Sequence, residues 1–167
     1  IDGLPVVLAI DDDPMALEML RRQLVRQGYN LEVAHSGAEG LAKARTLLPD
    51  VILLDVLMDR LDGWEVLTTL KATPDLAEIP VVMVTVVDDR NKGFRLGASD
   101  YLVKPITQTQ LLGVLQKHKI DNLQLEVDLV SSIHRMYSEA GKDVSKMVSI
   151  REEILNSFLA GAAKENE

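Results

Sequence analysis

Asp55 follows a run of four apolar residues, Val51 to Leu54, and three other apolar runs end in residues of complementary chemistry. Val6–Ile10 runs into Asp11, Asp12 and Asp13, Val81–Val84 into Thr85, and Tyr101–Val103 into Lys104 and Pro105. Carboxylates, a hydroxyl and an ammonium are the groups that could hold a divalent cation and a phosphoryl group around one nucleophilic carboxylate. Such a site forms only if the ends of several strands meet. Short apolar runs separated by helical patterns read as buried parallel strands. In an open α/β sheet, ligands bind beyond the carboxyl ends of the strands. The sequence therefore predicts one site at one edge of a sheet.

Helices must position those strand ends. Asp13-Pro14 reads as an N-cap followed by proline at N1, and Leu17, Leu20, Leu24 and Val25 give that helix an apolar face up to Gly28. A short strand is predicted at Leu31–Ala34. Ser36-Gly37-Ala38-Glu39 is a capping box for a helix with Leu41, Ala44 and Leu48 inward, stopped by Pro49. Asp62 caps a helix carrying Val66, Leu67 and Leu70, and Asp89 opens a short one ending near Gly97. Thr107-x-x-Gln110 is a second capping box, opening a fifth helix. The predicted fold is α/β: a doubly wound five-stranded parallel sheet of flavodoxin-like order 2-1-3-4-5, with right-handed crossovers. In that order the four strands with polar ends are neighbours. Strand 2, ending at Ala34-His35, lies outside the cluster.

The chain has 167 residues, 47% of them hydrophobic, enough for one domain plus an appendage. No stretch approaches the ~18 apolar residues of a membrane span, so no membrane contact is expected. There is no cysteine and no signal-peptide pattern, so a cytoplasmic setting is expected. A net charge of −8 and a pI of about 4.9 argue against a nucleic-acid partner. The start at Ile1 instead of Met reads as a processed product or a piece of a longer protein.

Residues 1–118 carry the strand–helix alternation and 119–167 do not. In the latter, Ile120, Leu123, Val127, Val130, His134 and Tyr137 follow a heptad seam, and Leu125, Leu129, Ile133 and Met136 form a second stripe. A turn is predicted over Ser138–Asp143, then another amphipathic helix from Val144 to Leu159. This C-terminal α-helical hairpin has two apolar faces and must pack on the domain, on a second copy or on further sequence. A homodimer through it is expected.

Residues 1–118 resemble a response-regulator receiver domain of two-component and phosphorelay signalling. The resemblance rests on the acidic pair after strand 1, Asp55 after strand 3, Asp62-Gly63 in the next loop, Thr85 after strand 4 and Tyr101-x-x-Lys104-Pro105 after strand 5. It implies a phosphoacceptor switch, not an enzyme beyond autocatalytic phosphorylation and dephosphorylation. Asp55 would take the phosphoryl group from a phosphohistidine donor, a histidine kinase or phosphotransfer protein. An aspartate is a weak nucleophile toward phosphorus until charge is neutralised, and the implied cofactor is Mg2+. By resemblance Asp12 and Asp55 bind it directly, Asp11 through water, and the Leu57 backbone carbonyl adds an oxygen. The Asp triplet leaves the metal pair open by one residue; Asp13 is better used as a helix cap, which favours Asp11 and Asp12. Lys104 would pair with a phosphoryl oxygen and precede a cis peptide to Pro105. Thr85 would hydrogen-bond the phosphoryl group, and Tyr101 would be the rotameric switch that fills the space Thr85 vacates. The responding surface is helix 4, strand 5 and helix 5, a second candidate dimer face. The parent chain could be a hybrid histidine kinase or a regulator without its effector.

Three departures from the family pattern stand out. Met58-Asp59 replaces Met-Pro, which is expected to make the loop looser and more acidic. Val86 is bulkier than the usual small residue after Thr85 and is expected to restrict access. Leu57 and Val87 flank the site at positions that influence hydrolysis in the family; neither can orient a water, so a long-lived aspartyl phosphate is expected. Two other classes compete. One is an interaction module independent of phosphorylation. The other is a haloacid-dehalogenase-like phosphohydrolase using Asp11-x-Asp13, which leaves Asp55 without a role. His134 sits where a histidine-kinase hairpin carries its phosphoacceptor, but the acidic residue after it and the downstream proline are missing. Trp64 is expected to pack at the start of helix 3.

Overall fold

The structure, a computed structural model, describes residues 4–118, 133–135, 138 and 156. Among them, strands β1 (Val6–Ile10), β2 (Asn30–Ala34), β3 (Val51–Leu54), β4 (Val81–Thr85) and β5 (Asp100–Val103) alternate with helices. The helices are α1 (Pro14–Arg26), α2 (Gly37–Leu47), α3 (Gly63–Ala72) and α4 (Arg90–Arg95). Residues 108–118 form a further helix, α5. The strands build one parallel sheet in the order β2-β1-β3-β4-β5, the order the sequence predicts.

β3 and β4 are buried at every position, because helices cover both faces of the sheet. Successive strand residues divide between two cores. Leu8, Ile10, Ile52, Leu54 and Met83 pack with Leu41 and Ala44 of α2 and Val66, Leu67 and Leu70 of α3. Val7, Ala9, Leu53, Val82 and Val84 pack with Leu17, Leu20 and Leu24 of α1 and Leu111 and Leu115 of α5. Both cores run up to the carboxyl ends of the strands, so the polar residues just beyond them follow buried strand ends.

Caps fix where the helices begin. The Asp13 carboxylate accepts the Met15 N–H at 3.0 Å, with Pro14 in the first turn of α1. Asp62 and Glu65 form a reciprocal capping box at α3. Thr107 and Gln110 do the same before α5, at 2.9 and 3.1 Å. The box predicted at α2 closes differently. Ser36 accepts the Glu39 N–H at 3.2 Å, but the Glu39 carboxylate reaches back to the N–H of His35, one residue earlier than a standard box. Gly28, at φ 83°, ends the turn after α1 as a left-handed stop.

The chain divides into two units, Ile1–His118 and Lys119–Glu167. The expected hairpin and most of its heptad seam lie outside the described residues. His134 is helical and exposed.

Candidate functional site

Strand register sets the site. Ile10 pairs with Leu54 and Thr85 with Val103, so Asp11, Asp55 and Lys104 each follow a paired strand end. The backbone continues that pairing one step further: Asp55 N–H donates to the Ile10 carbonyl at 3.0 Å, and Lys104 N–H to the Thr85 carbonyl at 2.8 Å. Asp11, Asp55 and Thr85 are buried, at 4%, 7% and 0% exposure. The Lys104 Nζ donates to Asp11 Oδ2 at 2.8 Å and to Asp55 Oδ2 at 3.5 Å. The Lys104-Pro105 peptide is cis, as the resemblance implies.

The charges oppose one another. Burial pushes the Asp11 carboxyl above its ordinary value. The Lys104 hydrogen bond and the Asp13 N–H work against that rise, and the Asp55 charge adds to it. Burial also acts to lower the Lys104 ammonium, but its bond to Asp11 and the charges of Asp55 and Asp11 outweigh this and raise its pKa. Two buried carboxylates thus share one ammonium, an arrangement that favours further positive charge.

Asp12 is exposed, and its Oδ2 accepts the Asp59 N–H at 3.2 Å. Asp13 is engaged as the α1 cap, which suits Asp11 and Asp12 as the acidic pair. Among the described residues no group of three acidic, histidine or cysteine side chains already stands in a metal-holding arrangement. The donor chemistry does fit: Asp11, Asp12 and Asp55 offer only oxygen, with more negative charge than Lys104 can balance, which suits a hard divalent ion such as Mg2+. Leu57, whose carbonyl is the further expected oxygen, lies on the turn after β3 and gives its N–H to Asp55 Oδ1 at 3.3 Å.

On the other side of the site, Thr85 Oγ1 accepts the Val87 N–H at 3.3 Å. Tyr101 is buried; its hydroxyl donates to the Val87 carbonyl and accepts the Asp89 N–H at 3.3 Å. Trp64 stacks on Tyr101 with ring centroids 6.5 Å apart and planes 27° apart, and Lys92 Nζ lies 4.8 Å from the Trp64 ring centre. Trp64 lies at the start of α3, as the sequence predicts, but these partners have no sequence signal. Of the departures, Asp59 tethers its loop to Asp12 through an N–H that proline would lack. Val86 is 59% exposed, so most of its bulk stands in solvent.

The response regulator receiver domain family matches residues 7–116. The chain belongs to this family. Two relatives are the response regulator MprA of Mycobacterium ulcerans (strain Agy99) and of Mycobacterium tuberculosis (strain ATCC 25618 / H37Rv). The first is 39% identical over 123 residues, 70% of this chain and 52% of that protein. The second is 42% identical over 109 residues, 64% of this chain and 46% of that protein. The chain thus spans about half the length of the curated relatives it matches. Among solved structures, the chemotaxis response regulator CheY4 of Vibrio cholerae is 33% identical with a TM-score of 0.65, covering 70% of this chain and 99% of that one. The signal receiver domain of a signal transduction histidine kinase from Syntrophus aciditrophicus is 31% identical with a TM-score of 0.64, covering 68% and 89%. The receiver assignment does not favour the phosphohydrolase alternative, whose general acid, Asp13, is occupied as a helix cap. Among the described residues no helix is long and apolar enough to cross a membrane.

Proposed function

We propose that this receiver domain is a phosphoacceptor switch in which Asp55 takes a phosphoryl group from the phosphohistidine of a histidine kinase or phosphotransfer protein. The observation that carries this reading is the buried Asp55 carboxylate sharing the Lys104 ammonium with Asp11. An Asp55 oxygen bonds to phosphorus as the P–N bond to the donor imidazole breaks. The electron pair returns to the imidazole nitrogen, which takes up a proton. Lys104 provides positive charge where the phosphoryl oxygens accumulate negative charge. Mg2+, held by Asp12, Asp55 and the Leu57 carbonyl with Asp11 through water, would neutralise charge on the phosphoryl group when bound. Thr85 is the hydroxyl that hydrogen-bonds the new group. The added charge then biases the α4–β5–α5 surface, a population shift and not a turnover chemistry.

A protein donor is supported by what lies beside the carboxylates. A cleft of about 370 Å³ opens there, walled by Met15, Met19 and Leu20 of α1 and by Pro105 and Ile106. Met15 and Met19 are 77% and 61% exposed. An apolar wall offers nothing to a small anion but suits a protein surface. The test is transfer from two donors, a phosphorylated histidine phosphotransfer protein and phosphoramidate. Changing Met15 and Met19 to Gln, which removes the apolar surface without adding charge, should slow the protein donor about tenfold, the size of one good interface contact, and leave phosphoramidate unaffected. If neither donor labels Asp55, the reading fails.

Residues 1–118 are read as the receiver and 119–167 as a helical extension that dimerises, working in the cytoplasm. Size exclusion before and after phosphorylation tests the dimer; an unchanged monomer would remove it.

A further inference from the structure

Trp64 and Lys92 take no part in the transfer chemistry, yet Trp64 stacks on Tyr101 and Lys92 lies over the Trp64 ring. An indole in contact with another ring and with an ammonium gains from both contacts. Tyr101 in turn clamps the β4–α4 loop at the Val87 carbonyl and the Asp89 N–H. Val87 is tied to Thr85 by its own N–H. Gly93 of α4 makes room for the ring: a Cβ there would stand 2.7 and 2.8 Å from Tyr101 Cδ2 and Cε2.

We propose that Trp64 and Lys92 are positioning residues, a latch that keeps Tyr101 inward and sets the Thr85–Val87 wall of the site before any phosphoryl group arrives. The functional meaning rests on Asp55 being the acceptor, but the latch belongs to the unmodified protein. Lys92 is only half-buried, so Lys92→Gln removes the cation without opening a core.

The test is fluorine NMR of the full chain labelled with fluorotyrosine, with the Tyr101 line assigned by Tyr101→Phe. Gly93→Ala, which drives a Cβ into the ring, marks the position of a displaced Tyr101. Wild type should give one line at a different position. Lys92→Gln should raise the displaced population roughly two- to fivefold, the effect of losing one cation–π contact. Trp64→Leu should raise it further, and Lys92→Arg should restore the wild-type line. A wild-type line already split, or Lys92→Gln and Trp64→Leu both with the wild-type line, would overturn the latch. Intact mass of the same samples after Mg2+ and phosphoramidate reads the acceptor separately. No phosphate on wild type would refute the Asp55 reading and leave the latch result standing.

Discussion

The carboxyl edge of the sheet has two walls built in opposite ways. One is charged: Asp11, Asp55 and Lys104, joined by ion pairs of 2.8 and 3.5 Å. The other is aromatic and apolar: Tyr101, Trp64 and Val87. Each group of the charged wall is the next residue after a paired strand end, so the sheet's register places it. The aromatic wall depends on where α3 and α4 settle against β5. The contrast teaches a division of labour in which the sheet positions the chemistry and the helices set the conformation around it.

Breaking the element common to both walls should have the largest effect. Gly63 follows the Asp62 cap and precedes Trp64, and a Cβ on it would stand 2.1 Å from the Asp55 carbonyl oxygen and 2.6 Å from the Val56 Cα. Both obstacles are backbone, so Gly63→Ala should cost about 3 kcal/mol in urea denaturation. A loss well under that would show that α3 can slide, and that the walls are less rigid than described. Lys104→Ala strikes the charged wall alone. Its phosphorylation by phosphoramidate should fall about 100-fold, the loss of a cation aimed at developing charge, with Trp64 emission unchanged. A shift in that emission would mean the two walls are coupled.

Val87 lies in the aromatic wall next to Thr85, and the wild-type aspartyl phosphate should outlast seconds by a wide margin. Val87→Asn, which can orient a water, should speed its loss about tenfold. A wild-type half-life of seconds would contradict the role given to Leu57 and Val87. The smallest effect is a control outside both walls. The His35 N–H holds the Glu39 carboxyl below its ordinary value of 4.5. A lowered carboxylate contributes stability above its unfolded pKa and loses it as pH falls through the folded one. Glu39 keeps 39% of its side chain exposed, enough for solvent to screen the charge, so Glu39→Gln should remove about 0.5 kcal/mol or less at neutral pH. It should also flatten the acid limb of the stability curve and leave phosphorylation unchanged.

The same division explains what the sequence disclosed. Four apolar runs ending in Asp11, Asp55, Thr85 and Lys104 were enough to predict the strands, and the common five-stranded doubly wound order then brought those groups together, because parallel pairing converts linear position into spatial position. Capping residues Asp13, Asp62 and Thr107 were legible for a similar reason, since a cap acts within one helical turn. The Lys92–Trp64–Tyr101 stack was not legible. It joins residues from three elements, and no local pattern tells an indole that stacks on a tyrosine from one that merely fills space. The Asp59 amide to Asp12 was hidden because a backbone N–H has no signature in residue type, although the absence of proline at that position permits it. The α2 box closed on His35 instead of Ser36 because side-chain reach, not spacing, decides which amide is met.

The most direct test of the central claim is intact mass of wild type and Asp55→Asn after incubation with Mg2+ and phosphoramidate. Wild type should gain one phosphoryl group and the variant none. A gain in both, or in neither while Mg2+ binds and the fold is intact, would contradict Asp55 as the acceptor.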